Sequence, residues 1–234
     1  VIQYRGATHD LRQIGKALGA ANIVEGSVRR AGDRVLLNIQ LIDAQHDRHL
    51  WAHRYDRTLQ DSIGLQGELA TEIANALKAK LAPAEISRLA TRPTENPQAY
   101  LLYLQANELV HLAASKEEAL AADDLYEQAI PLDQSLFRAY ARDSILNSLM
   151  FYVGREPARK IKARSMAKEA QRLDPDLGDV HLALGLCAYR LEADYDKALQ
   201  AIAKAGAALH NDAEILDSSG YSYTRQGSGQ EALT

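Results

Sequence analysis

Residues 22–57, NIVEGSVRRAGDRVLLNIQLIDAQHDRHLWAHRYDR, decide the first half of the fold. In Arg34–Ile42 the residues Val35, Leu37, Ile39 and Leu41 alternate with Leu36, Asn38, Gln40 and Ile42. Alternation at period two puts one strongly apolar row on a single face of a β-strand. Residues 22–29 read as a preceding strand, and Arg30-Ala31-Gly32-Asp33 as a tight turn in which glycine supplies a positive φ. A second turn over Asp43–Asp47 leads into a third strand, Arg48–Thr58. There Leu50, Ala52 and Arg54 are expected on one face, and His49, Trp51, His53 and Tyr55 on the other. These runs predict an antiparallel three-stranded meander.

Helices flank it. In Asp10–Leu18 the residues Leu11, Ile14 and Leu18 form one apolar stripe, with Thr8 or Asp10 as cap and Gly19 suited to the left-handed position after the last turn. Downstream, Asp61 or Ser62 is expected to cap a longer helix carrying Leu65, Leu69, Ile73, Leu77 and Leu81, ended by Pro83. Residues 83–98 read as a connector. Its Asn96-Pro97, an N-cap followed by proline at the first helical position, starts a new regime.

Beyond Pro97 every periodic segment is helical, with self-similarity at about 34 residues. Ala122, Tyr126 and Ala129 recur as Ala163, Ala167 and Ala170, then as Ala198, Ile202 and Ala205. Small residues recur at the facing helix crossing: Ala106, Ser144, Gly185 and Gly220. Close helix approach needs short side chains at these points. Residues 99–234 therefore resemble the tetratricopeptide repeat family, in about three and a half repeats. The second repeat departs from the pattern, with Asp143-Ser144 where Leu-Gly is usual. The fold class expected is an α+β amino-terminal domain over 1–82, partly truncated, and an all-α repeat superhelix over 99–234.

The first half is similar to the TolB amino-terminal-like region of bacterial signalling proteins. The resemblance rests on Asp10-Leu-Arg12, Ile14-Gly15, Leu18-Gly19, Glu25-Gly-Ser-Val-Arg-Arg30, Gly32, Arg34-Val35, Gln40-Leu-Ile-Asp-Ala44, His49-Leu-Trp-Ala52 and Arg54-Tyr-Asp56. It implies a parent carrying a class III adenylate/guanylate cyclase domain or, in other family members, a winged-helix DNA-binding domain. The strand and helix that normally open the region are missing before residue 1, and Asp47 replaces a usual turn glycine. An open sheet edge follows, and with it a homodimer or swapped pair through that edge.

Composition narrows the function. Hydrophobic residues make up 47% and charged residues 25%, as in ordinary globular chains. Residues 1–82 hold 11 basic against 9 acidic side chains and 83–234 hold 16 against 22, too small an asymmetry for a nucleic-acid surface. The single Cys187 excludes an internal disulfide and fits a reducing, cytoplasmic setting. No apolar run reaches the roughly 18 residues needed to span a bilayer. The chain starts at Val1 without methionine and stops in GSGQEALT, so both ends read as cuts in a longer polypeptide.

No catalytic, cofactor or metal set emerges. His46, His49 and His53 with Asp43 and Asp47 invite a metal reading, but His49 and His53 lie about 13 Å apart along a strand. Gly227-Ser-Gly229-Gln-Glu-Ala232 fits G-x-G-x-x-A but follows a repeat helix, not a strand. Arg159, Lys160, Lys162 and Arg164 read as a solvated basic face, and no GxSxG or Cys-His spacing surrounds Cys187. Arg29, Arg30 and Arg34 around the first hairpin form a candidate anion contact.

The stronger candidate is the repeat groove. Aligned first-helix positions put Asn107, His111, Arg138, Ser148, Tyr189, Arg190, Tyr221 and Arg225 on its concave side. Tyrosine and arginine there suit an extended peptide, a partner helix or the parent's own domains. The expectation is a non-catalytic regulatory region of a cyclase-type signalling protein. The alternatives are a small-ligand sensor with its pocket between the sheet and the helix over 62–81, or the same region of a transcription regulator.

Overall fold

Two-residue turning and strict alternation give the meander its register. In the computed structural model, β1 (Asn22–Ala31), β2 (Arg34–Asp43) and β3 (Arg48–Thr58) form an antiparallel sheet in the order β1-β2-β3. The structure describes residues 11–58, 60–61, 63–78, 92–112, 115–208 and 213–226. The expected caps Thr8, Asp10 and Ser62, the stretch around Leu81 and Pro83, and the Gly227–Ala232 motif lie outside the described residues. Two compact units divide the chain, residues 1–97 and 98–234.

In the first unit Ala31 pairs with Arg34, so Gly32 and Asp33 make the turn, and Gly32 takes a φ of 64° that side chains with a Cβ rarely adopt. In the second turn Asp47 itself adopts a φ of 51°. Asp43 organises that turn: its carboxylate accepts from the backbone N–H groups of Gln45 and His46 at 3.1 and 3.2 Å and lies 2.8 Å from the His46 ring. The His46 bond holds its carboxyl below the usual range.

The apolar row of β2 is half of a small core. Leu37 and Tyr55 pack with Leu65 of helix α2 (Leu65–Ala76), joined by Ile39, Trp51 and Leu69. Helix α1 (Leu11–Leu18) ends at Gly19 with the expected left-handed φ of 63°, but Leu18 of its apolar stripe is 45% exposed and Gly15 is the buried residue.

Three expectations need correction. The ladder shifts between Leu41, opposite Trp51, and Ile42, opposite His49, so Leu50 is an extra residue in a β-bulge. His49 therefore shares a face with Ile42 and not with Trp51, His53 and Tyr55. Asp61 does not cap α2 either; it is bonded to Thr58, which donates to its carboxylate at 2.7 Å, and α2 starts after Gly64 instead. The helix ends at Ala76, short of Leu81, where Lys78 turns to a φ of 54°.

The second unit is a stack of helical hairpins. Its helices are α3 (Pro97–Leu112), α4 (Lys116–Leu132), α5 (Phe137–Gly154), α6 (Pro157–Leu173), α7 (Gly178–Cys187), α8 (Tyr195–Ala208) and α9 (Ala213–Gln226). Helix α7 continues as a π-helical turn, Ala188–Glu192. Helices α3, α5, α7 and α9 are the first helices of successive repeats; α4, α6 and α8 are the second helices. Proline opens α3 and α6, and a capping box of Ser115 and Glu118 opens α4, bonded both ways at 3.2 and 3.1 Å.

Three of the recurring small residues, Ala106, Ser144 and Gly185, meet where the pattern places them; the helix expected to face Gly220 lies outside the described residues. Ala122, Ala163, Ala198 and their partners one and two turns later are all at most 2% exposed. Across from them Ala106 is fully buried, Ser144 donates to the Ala163 carbonyl at 2.8 Å, and Gly185 lies against Ala198 and Ile202. A Cβ on Gly185 would stand 2.8 Å from Ile202 Cγ1 and 3.2 Å from the Ala198 carbonyl oxygen. This hairpin closes only with glycine at the crossing.

Candidate partner-binding face

The first helices of the repeats line one face of the second unit, and their side chains link one repeat to the next. Near the start of these helices Tyr100 and Tyr103 stack with ring centroids 6.2 Å apart, and Tyr103 meets Tyr126 at 6.4 Å. Arg142 of α5 pairs with the buried Asp179 of α7 at 2.6 Å.

Further along, a second cluster forms. Tyr152 of α5 and Tyr189 of the π-helical turn stack at 5.9 Å, and Tyr189 packs on Tyr195 at 5.9 Å. Arg155 lies 5.2 Å over the Tyr152 ring. The phenols of Tyr189, foremost, and Tyr152 lie close enough to Arg225 of α9 to raise its pKa. The neighbouring Tyr189 phenol lowers the Tyr152 pKa, whereas burial and the neighbouring Tyr152 raise the pKa of Tyr189. Tyr152 and Tyr189 are half-buried and Arg225 is exposed, so the cluster offers aromatic faces and a cation together.

The expected groove residues separate into three groups. Tyr189 and Arg225 sit in the cluster, and Tyr221, one turn before Arg225 on α9, is 63% exposed. Ser148 and Arg190 instead tie α5 to the π-helical turn. Ser148 is fully buried, donates to the Ile145 carbonyl at 2.7 Å and accepts from Arg190 at 3.0 Å. Asn107 points into the first hairpin, where it accepts from the Tyr126 hydroxyl at 2.6 Å, while His111 is exposed and Arg138 half-buried. Tyr152, Arg155, Tyr100, Tyr103 and Arg142 were not in the expected set. Tyr152 stands one turn beyond Ser148, so extending the repeat alignment by a turn finds it; nothing local marks Arg142 as a partner of Asp179.

The second repeat hides an ion network. Asp123 of α4 and Asp143 of α5 are buried beside Arg159 and Lys162 of α6, which were expected to be solvated. Lys162 donates to Asp123 at 2.6 Å and stands 3.5 Å from Asp143; Asn147 bridges both acids at 2.7 Å. Burial drives Asp143 up to about 8 against the opposing charge of Lys162. Burial also pushes Asp123 upward, but its neighbour Asp143 and the bonds it accepts from Lys162, Arg159 and Asn147 outweigh this and hold it at about 2. Oδ2 of Asp143 is buried without a hydrogen-bond partner among the described residues, 3.5 Å from the Lys162 ammonium.

In the first unit the candidate arginines diverge. Arg29 and Arg34 share a sheet face, and Arg30 is on the other, its Nε donating to the Gly32 carbonyl at 2.9 Å. Arg34 pairs with Asp56 at 2.6 Å. His53 turns to Glu72 at 3.4 Å and His46 to Asp43, so the three histidines do not converge. Among the described residues no group of three or more His, Cys, Asp or Glu is placed to hold a metal ion. A cavity of about 360 Å³ lies at the start of α2, lined by Glu68, Thr71, Glu72 and Arg92 among others. Among the described residues no helix is long and apolar enough to cross a membrane.

Known proteins resemble this chain in sequence and in fold. No family model matches the chain. It is 33% identical over 186 residues to "Putative adenylate cyclase 3" of Rhizobium meliloti (strain 1021), a match covering 78% of this chain and 32% of that protein. The matched region thus spans about a third of its relative. The fold is similar to the crystal structure of a thermophilic TPR protein of Thermus thermophilus, with a TM-score of 0.51 and 23% identity over 75% of this chain and 87% of that one. The repeat region has a tetratricopeptide-type fold.

Proposed function

We propose that this chain is a non-catalytic regulatory region of a bacterial adenylate/guanylate cyclase-type signalling protein, acting in the cytoplasm. In this reading a TolB amino-terminal-like unit over 1–82 is joined by a connector at 83–98 to repeats that receive a partner protein, a peptide or the parent's own domains. The observation that carries it is the Tyr152–Tyr189–Arg225 cluster, drawn from three successive repeats and left partly open. Aromatic and guanidinium groups of this kind dominate binding energy at protein interfaces. The similarity to the Rhizobium meliloti protein supports the cyclase setting. The outer edge of β1, which has only β2 as a neighbour among the described strands, supports dimerisation through the sheet.

The test uses the whole chain as bait against the remaining domains of its parent and against cell extract. Changing Tyr152, Tyr189 and Arg225 together to Ala should weaken capture of a specific partner by at least about thirtyfold, on the scale of a lost hot spot. His111→Ala should leave capture intact. Capture indifferent to the triple change, or conversion of ATP to a cyclic product by the purified chain alone, would overturn the reading.

A further inference from the structure

Away from the first-helix face, the second helices build a different kind of site. Helices α6 and α8 flank α7 and enclose an open cavity of about 540 Å³. Its floor is apolar: Ala167, Leu184, Cys187, Ala188 and Ala201. Its walls are cationic, with Arg164 and Lys168 one turn apart on α6 and Lys197 and Lys204 two turns apart on α8.

The charge is unevenly compensated along the cavity. Among the described residues, Glu192 is the one acid in its lining. It pairs with Arg164 at 3.0 Å and Lys197 at 3.4 Å, neutralising the end near the π-helical turn. Helix α7 runs antiparallel to both walls, so its His181 belongs to the opposite end, with Lys168, Gln171 and Lys204. No acid lines that end among the described residues. Residues 83–234 as a whole carry 22 acidic against 16 basic side chains, so a basic pocket runs against the surrounding charge.

We propose that this cavity binds a small organic anion, with its acidic group held by Lys168 and Lys204 and its apolar body lying over Leu184 and Ala201. The volume is within the range of small-molecule sites, about 300–1,000 Å³. An apolar floor rewards burial of carbon, and paired ammonium groups reward a carboxylate, sulfonate or phosphate. An inorganic ion alone would leave the floor wet. The site is independent of the Tyr152–Tyr189–Arg225 cluster.

Titration calorimetry on the whole chain tests this with four probes: decanoate, 2-naphthoate, decyltrimethylammonium and inorganic phosphate. Decanoate stands for a lipid-derived anion and 2-naphthoate for a rigid aromatic one. Saturable binding of either, at one site per chain, supports the proposal. The Lys168→Glu/Lys204→Glu double variant should then bind at least about tenfold more weakly, since both changes replace attraction by repulsion. Lys160→Glu, on α6 but outside the cavity, should bind as the unmodified chain does. Both lysines are exposed, and unchanged circular dichroism verifies that the double variant is folded. Binding of neither anion, equal binding of the cationic detergent or of phosphate, or indifference to the double variant would overturn it.

Discussion

At the scale of single residues, the carboxyl of Asp143 decides how the repeat unit answers pH. Its folded pKa, about 8, lies above the ordinary 3.8. A raised acid contributes stability that is fully present below the unfolded value and is lost as pH rises through the folded one. Asp123, held at about 2, contributes in the opposite sense: its stabilisation is present above about 4 and is lost as pH falls toward 2. Stability from the network is therefore greatest near pH 4 and declines as pH rises from there toward 8. Asp143→Asn keeps the bonding geometry and removes the titration. Urea midpoints measured by circular dichroism should fall for the unmodified chain between pH 6 and 9, stay nearly flat for the variant, and favour the variant at pH 9. Parallel declines in both proteins would show that Asp143 is not the titrating group. The pairing itself was not readable from sequence, because Arg159 and Lys162 find Asp123 from 36 and 39 residues away.

At the scale of elements, legibility followed local physics. The meander was readable because alternation fixes which side chains share a face, and the hairpins because recurring alanines fix which surfaces meet. The bulge at Leu50 was not, since the register shift depends on Leu41 and Ile42, both buried, being accommodated together. Nor was the π-helical turn, although the count carries a trace of it. The step from Ala163 to Ala198 is 35 residues, one more than the family's usual 34. An added residue within a helix is accommodated as such a turn. It sets the positions of Tyr189 and Arg190, which is why a plain alignment found Tyr189 but misread Arg190 as open. Gly185 gives the sharpest test of the hairpin geometry. Gly185→Val forces atoms into Ile202 and the Ala198 backbone and should cost about 1–3 kcal/mol in urea denaturation. Adding Ile202→Ala should make the cost of the glycine change smaller, because the side-chain part of the clash is gone; a strictly additive double variant would refute the close contact.

At the scale of the whole molecule, the two units have separate cores of different kinds: a thin sheet-and-helix layer around Leu37, Tyr55 and Leu65, and a longer stack built on buried alanines. Chains with more than one core need not unfold in one step. Most helical residues belong to the second unit, so far-ultraviolet signal follows chiefly the repeats. The single tryptophan of the chain, Trp51, lies on β3 against the core of the first unit. Its intrinsic emission is thus a label written into the sequence, reporting the sheet's packing with no dye attached. Emission and far-ultraviolet midpoints in urea should differ, and Asp143→Asn should move only the latter; superimposed transitions would mean that the units melt as one. The same label turns any partner that reorganises the sheet into a spectral shift, even when the partner itself is colourless and its docking point lies on the repeats.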